Sequence, residues 1–255
     1  MEKTNILTTT LYKKNTEIRF QLACELIKRA LGLGYNVVVV DNSFDYVVRN
    51  SFTEIGARVF KQETEKGSGN QKRELFNIAA NDDSLSKIFL WTEPEKADLI
   101  RWIPKIIAPI QRRGADIVIP ERTKTSYASY PRFQAESEQK ANSIYKSITG
   151  KSFDMMFGPV AFSRKVLSYF MKCDPKNGYG VVDAYIQNVA AMEAIADGFK
   201  AVSVPVDFIY PEAQKVEEEI TLFPIMRDKR QKQFDELTNI FYVVTDKLKL
   251  KNSQL

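Results

Sequence analysis

Four consecutive valines, Val37-Val38-Val39-Val40, run straight into Asp41-Asn42-Ser43-Phe44-Asp45. An apolar run this short and this β-branched predicts a strand covered on both faces, the setting of a parallel sheet between two helical layers. Its neighbours read the same way. Residues 5–11 predict a first buried strand, and residues 16–31 a helix on which Ile18, Leu22, Leu26 and Ala30 recur every four positions, widened by Ala23, Ile27 and Leu31. Gly32 and Gly34 close that helix, and residues 46–55 predict a second one.

The alternation continues with a strand over 57–61, a loop over 65–70, a helix over 71–80 and a strand over 87–91. A helix over 97–113, interrupted by Pro104 and Pro109, leads to a fifth strand over 115–120. Beyond it the pattern loosens. A polar loop is predicted from Arg122 to Arg132, then helices over 134–148, 164–171 and from Asp183 to Asp197, and a last strand over 201–208. The segment from Glu217 onward is charged, mostly helical and ends in a Lys-rich tail. With no internal repeat or low-complexity linker, residues 1–255 are expected to form a single α/β domain. Its parts would be a regularly alternating half to residue 120, a second half over 121–215, and a helical extension over 216–255.

Composition narrows the chemistry. At 255 residues and 44% apolar the chain can bury a large core. It contains no stretch near the roughly 18–20 apolar residues that span a bilayer. Met1-Glu2-Lys3-Thr4-Asn5 lacks the order of a signal peptide, so a cytoplasmic protein without a membrane span is expected. Histidine is absent, which excludes His-based acid–base chemistry, Ser-His and Cys-His nucleophiles, and imidazole zinc sites. Two cysteines, Cys24 and Cys173, are too few for a disulfide framework and read as idle thiols. The formal charge of +5 suits an anionic ligand, but acids and bases alternate nearly everywhere, so nucleic acid is not expected.

In an open parallel sheet, ligands bind beyond the carboxyl ends of the strands, where Thr10-Leu11-Tyr12 and Asp41-Asn42-Ser43 fall. Asp41 can accept the imino proton of a uracil or guanine ring and Tyr12 can stack on a base, although Asp41, Asn42 and Ser43 can equally serve as turn formers or caps of the next helix. In Lys66-Gly67-Ser68-Gly69-Asn70 the glycines let backbone amides approach a phosphate, ahead of a helix amino terminus and the fork of Arg73. The spacing is neither that of a Walker loop nor that of a dinucleotide fingerprint.

With these residues the first 120 positions resemble glycosyltransferases of the GT-A fold, in particular the inverting family 2 and the dolichyl-phosphate mannose synthases. The resemblance sets Thr10 and Tyr12 at the end of the first strand. It sets Asp41-Asn42-Ser43-Phe44-Asp45 in place of an Asp-Asp-Gly-Ser-x-Asp signature, and Lys66 to Arg73 in place of Lys-Gly-x-Gly-x-x-Arg. It implies a Rossmann-like, mostly parallel mixed sheet flanked by helices, a nucleotide-diphosphate-sugar donor and an acceptor hydroxyl. Where the family carries Asp-x-Asp for a divalent cation, this chain has Glu93-Pro94-Glu95, implying Mg2+ or Mn2+ held by Glu93 and Glu95, with capping of the helix from Ala97 as the other reading.

A fainter likeness covers Asn142 to Gly150 and Phe157 to Arg164, and it implies that Asp154 and Gly158 line the donor sugar and acceptor, and that Asp183 is the catalytic base; a turn at Gly158-Pro159 and a helix cap at Asp183 are the alternatives. Tyr130 to Gln134 with Glu136 and Glu138 as an acceptor wall, and Tyr210 to Gln214 with Glu217 as a cover, are weaker candidates, both reading more naturally as exposed loops. Arg227, Lys229, Arg230 and Lys232 read as a solvated helix face. Two other functions stay open. A sugar-phosphate nucleotidyltransferase calls for a Gly-rich loop near the amino terminus, and residues 8–15 contain no glycine. A GT-A-like protein that binds a nucleotide sugar without transferring it would account for the altered metal signature.

Overall fold

A computed structural model describes residues 4–252; Met1 to Lys3 and the last three residues of the Lys-rich tail lie outside the described residues. The first half is built of β1 (Thr4–Thr10), α1 (Ile18–Gly32), β2 (Asn36–Asp41), α2 (Tyr46–Ile55), β3 (Arg58–Lys61), α3 (Ser68–Ala80) and β4 (Ile88–Trp91). A 3-10 turn over Ala97–Trp102 leads into α4 (Ile103–Arg113) and β5 (Ile117–Arg122). The second half adds α5 (Lys124–Ser129), α6 (Arg132–Thr149), β6 (Val160–Ser163), α7 (Leu167–Lys172), α8 (Pro175–Tyr179) and α9 (Ile186–Ala196). It ends with β7 (Ala201–Val206), α10 (Glu212–Val216), a π turn over Glu217–Thr221 and α11 (Phe223–Asn252).

The strands form one seven-stranded sheet in the order β3-β2-β1-β4-β6-β5-β7. Only β6 runs against its neighbours; the other pairs are parallel. After β3 the chain crosses back over β1 to lay β4 on its other side, so the strand order reverses between β1 and β4. That reversal opens a crevice beyond their carboxyl ends. Thr10 pairs with Asp41 in the β1–β2 register, which sets both residues at its lip.

Two apolar layers cover the sheet. One face carries α1, α2 and α4 through Phe20, Leu26, Phe52 and Ile106, and the other carries α3, α7 and α9 through Leu75, Phe76, Phe170 and Val189. Leu237, Ile240, Phe241 and Val244 of α11 are buried in that second layer, so the carboxy-terminal helix completes the core instead of hanging from it. No helix among the described residues is long and apolar enough to cross a membrane.

The segment from Arg122 to Arg132 is not a loop. Arg122 closes β5 and is buried, and α5 follows, capped by Thr123, whose hydroxyl accepts from the Ser126 amide at 3.2 Å. The short α8 was not anticipated, although its start signal is present: Asp174 caps the Asn177 amide and Pro175 takes the first helical position. The helix α3 begins at Ser68 instead of residue 71, so its first turn is the Gly-Ser-Gly segment itself.

Candidate functional site

The lip of the crevice is tied together by buried polar groups. Asp41 is fully buried: its Oδ1 accepts from the hydroxyls of Thr10 (2.7 Å) and Ser43 (2.6 Å), and its Oδ2 accepts from the Ser43 amide (3.2 Å) and faces Arg49 Nε at 3.3 Å. Its oxygens are thus engaged by the protein, and the expected contact with a base imino group would have to displace one of these partners. The cap of α2 is Asp45, which accepts from the Val47 amide, and neither Asn42 nor Ser43. Gln71, which sequence reasoning missed, donates to both Thr10 O and Val40 O at 2.9 Å and so clamps β1 to β2.

Tyr12 does not offer a free face. Its ring is buried edge-on against Phe20 and Phe52, and its hydroxyl donates to Glu95 at 3.3 Å. Burial, reinforced by Glu95, raises its pKa well above the ordinary tyrosine value. The apolar side chain that does stand out at this lip is Leu11, 63% exposed.

Across the crevice, the two glutamates diverge. Glu95 is buried and holds Arg19 at 2.5 Å as well as the Tyr12 hydroxyl. Glu93 turns the other way, toward Lys96 at 3.2 Å and Gly158. Gly158 has φ +99, and a Cβ there would lie 2.1 Å from Glu93 Oε1, so only glycine allows this approach. The pair therefore does not fit a two-carboxylate metal clamp, since Glu95 is already neutralised by a guanidinium. Among the described residues no group of three or more potential protein ligands converges on one point. Both glutamates line the crevice, and Glu93 is the one not held by a guanidinium.

The Gly-Ser-Gly segment divides. Gly67, at φ +141, and Ser68 line the crevice, whereas Lys66 is exposed and away from it. Gly69 is buried against Asp183, where a Cβ would fall 2.0 Å from Oδ2. Asp183 does not reach the crevice: Arg73 grips it with both forks, at 2.8 and 2.5 Å, and the Asp183 hydrogen bond is the main reason the guanidinium pKa is raised. The two residues expected to hold the nucleotide and to act as base thus latch the start of α3 to the loop before α9. Asp183 is not a side-chain cap of the following turn either.

Lys72 is the cation that the crevice does own. Buried on the inward side of α3, it donates to Ala184 O (2.6 Å) and Gln187 Oε1 (2.8 Å) and lies 4.6 Å over the Trp91 ring. Burial pulls its pKa down to about 8, against the opposing pull of Glu93 and Asp183. Its signal was present in the sequence, because Lys72 continues the stripe of Leu75, Phe76 and Ala79.

Asp154 lies below the site. It is buried, takes Arg122 in a fork at 2.8 Å on each oxygen, and accepts from Asn142 at 2.6 Å, so it anchors Arg122 and leaves no oxygen for a donor sugar. Glu138 binds the same guanidinium, which is also stacked within 4.4–5.1 Å of Tyr127, Tyr130 and Phe157. Arg122, Tyr130, Gln134 and Glu138, together with Tyr210, Gln214, Glu218 and Arg230, line a second chamber of about 680 Å³. Of the two segments expected to be exposed loops, Tyr130, Gln134, Glu138, Tyr210 and Gln214 are buried while Arg132, Glu136, Glu212 and Ala213 are exposed; the Tyr130 and Tyr210 rings are 4.5 Å apart. The second chamber joins the crevice along Arg19, Ser68, Lys72, Glu93 and Met156, which border both. Lys229, an exposed side chain, lines it too. Cys173 is buried with its thiol toward Ile186 O, and burial raises its pKa; neither cysteine borders the chambers.

No protein-family model matches the sequence, so the likeness to family 2 remains one of the quoted motifs, and no curated protein matches it either. Solved structures do. Glucosyl-3-phosphoglycerate synthase from Mycobacterium tuberculosis, in complex with Mn2+, UDP-glucose and phosphoglyceric acid, superimposes with a TM-score of 0.57 at 14% identity, over 89% of this chain and 79% of that one. The same enzyme with phosphoglyceric acid alone gives 0.56 at 14% identity over 89% and 80%, and with UDP alone 0.56 at 14% over 93% and 80%. This chain has the GT-A fold, the nucleotide-diphosphate-sugar transferase architecture.

Proposed function

We propose that this protein is a glycosyltransferase that moves a hexose from a nucleotide diphosphate sugar to an acceptor hydroxyl. The observation that carries the reading is the joining of Gly67, Ser68 and the buried Lys72 in a crevice at the strand-order reversal of a GT-A sheet. A helix amino terminus and a buried ammonium both favour the charge of a diphosphate. The neighbouring enzyme, held with UDP, UDP-glucose and Mn2+, supports the donor class.

In this reading the base lies on Leu11 beside Asn42, with Asp41 shaping the lip from beneath. The diphosphate takes the Ser68 end of α3 and Lys72, and the sugar lies toward Glu93 and Gly158. The acceptor oxygen bonds to the anomeric carbon while the bond from that carbon to the diphosphate oxygen breaks. Its electron pair leaves on the nucleoside diphosphate, and the hydroxyl proton passes to Glu93. Fixed positive charge where the leaving group gains its negative charge is the main catalytic contribution of such a site. Lys72 supplies it, and Arg19 and Lys229 stand at the same junction. If Mg2+ or Mn2+ joins the diphosphate, Glu93 is the carboxylate in reach, and the cation would add further charge neutralisation there.

Incubating the chain with UDP-, GDP-, ADP- and CDP-sugars tests the reading through release of the nucleoside diphosphate. One donor should be consumed, and Lys72→Met should lower the rate at least tenfold. A second reading, a nucleotide-sugar-binding protein without transfer, is favoured by the pairing of Glu95 with Arg19 and of Asp183 with Arg73. Tight binding of one nucleotide without turnover in any acceptor mixture would select it.

A further inference from the structure

We infer that Arg19 and Lys96, with Lys72 beside them, take the place of a divalent cation in this crevice, so that a nucleoside diphosphate is held there without Mg2+ or Mn2+; the inference rests on the transferase reading and names how that site carries its charge. Glu93-Pro94-Glu95, which follows β4 into the crevice, is the segment in which two carboxylates would clasp a metal ion. Here each carboxylate already has a cation of the protein. Glu95 is buried, and its Oε1 lies 2.5 Å from Arg19 Nη2 while accepting from the Tyr12 hydroxyl at 3.3 Å. Glu93 Oε2 is buried 3.2 Å from Lys96 Nζ, and its Oε1 closes on Gly158.

The charges balance as they would around a metal. Two carboxylates facing two monovalent cations are neutral, as two carboxylates facing one divalent ion are. Lys72, buried and within the electrostatic reach of Glu93, adds a third positive charge. The corner is thus one charge positive before any metal enters, and a divalent ion would have to join three cations there. A diphosphate brings the negative charge that this excess favours.

Arg19 is placed to meet it. It stands in the first turn of α1, which contains no acidic residue, and a cation at that end opposes the helix dipole. Glu95 offsets this cost and fixes the guanidinium. The side chain nevertheless stays 47% exposed and borders both the crevice and the chamber, as Ser68 and Lys72 do. With Glu95 on one nitrogen, the rest of the fork is left for phosphate oxygens, and the group keeps its charge at any working pH. Lys96, held 5.1 Å over the Phe157 ring on the chamber side, mainly neutralises Glu93. When the bond to the anomeric carbon breaks, the charge gathering on the diphosphate oxygen meets cations already fixed in place. A metal ion carried in on the diphosphate would add to that charge and is not required for it.

Calorimetric titration of the full chain with UDP, GDP, ADP and CDP, once in EDTA and once in Mn2+, tests this. At least one nucleotide should bind in EDTA, within about threefold of its affinity in Mn2+. Arg19→Met should weaken the affinity in EDTA about tenfold or more and, by freeing Glu95, let Mn2+ restore most of it. Lys96→Met should weaken it about threefold and gain a smaller response to Mn2+. Because the Glu93 side chain is 34% exposed, that variant serves should Arg19→Met fail to fold by its circular dichroism melt. Binding by the unaltered chain only with Mn2+ would overturn the inference and leave the transferase reading standing. Folded variants that bind in EDTA as the unaltered chain does, or that lose binding without recovery in Mn2+, would overturn it as well. No nucleotide bound in either buffer would overturn the transferase reading and this inference with it.

Discussion

The crevice at the strand ends and the chamber behind it hold their polar groups by different means. In the crevice, Asp41, Thr10, Gln71 and Lys72 are held mostly by hydroxyls, amides and carbonyl oxygens. In the chamber, Arg122, Glu138, Glu218 and Arg230 are held by one another's charges and by Asp154. A buried ion pair is costly to break singly, because the partner left behind is an uncompensated charge, whereas a lost hydrogen bond costs about 1–3 kcal/mol. The crevice thus offers mainly backbone, Leu11, Glu93 and one buried ammonium, while the chamber is braced by ion pairs.

The sharpest test of this contrast is Arg122, the buried guanidinium of the chamber. Arg122→Met leaves Asp154 and Glu138 buried without their cation, and removing one partner of such a cluster costs about 3–5 kcal/mol. Urea unfolding at pH 7 should show that loss; a loss below about 1 kcal/mol would mean that the two carboxylates are not held as described.

Lys72 gives the next effect. Its folded pKa of about 8 lies below the ordinary 10.5, so between those values the unfolded chain keeps a proton that the folded chain has released. Stability relative to Lys72→Met should therefore rise across pH 8 to 10.5, by at most about 3 kcal/mol. In the same window nucleoside diphosphate affinity should fall, because the ammonium that meets the phosphates is lost. A flat difference between the two proteins would show Lys72 to be solvated.

Asp41→Ala removes a buried carboxylate that two hydroxyls and an amide share, and should cost about 2 kcal/mol in the same unfolding experiment. Asp183→Asn should cost less, about 1 kcal/mol, since the pair with Arg73 is partly exposed. Its turnover should fall less than tenfold. A thousandfold fall without loss of stability would return the role of base to Asp183.

The same contrast explains what could be read from the sequence. Val37–Val40, the four-residue stripe of α1 and the order of polar strand ends are local patterns, and they placed the first half of the sheet and its lip. Tyr12 misled because an aromatic at a strand end reads alike whether its face is free or packed on Phe20 and Phe52. The chamber was illegible for a different reason. Arg122 meets Glu138 and Asp154 across 16 and 32 positions, so local periodicity saw only polar residues and predicted a loop. One hint was available: Arg122 lies two and four residues after Pro120 and Val118 on the buried face of β5, a position where a cation needs buried carboxylates. Likewise, the polar face of α11 looked solvated until the fold set Arg230 against Glu138 and Glu218.

The account turns on whether the crevice receives a nucleotide diphosphate, and thermal unfolding of the full chain with UDP, GDP, ADP and CDP, each with and without Mn2+, measures this most directly. One base should stabilise the protein even without metal, because Lys72 and the start of α3 are fixed in place; at 100 times its dissociation constant the gain is about 2.7 kcal/mol. Absence of a shift with every nucleotide, with or without Mn2+, would contradict the account.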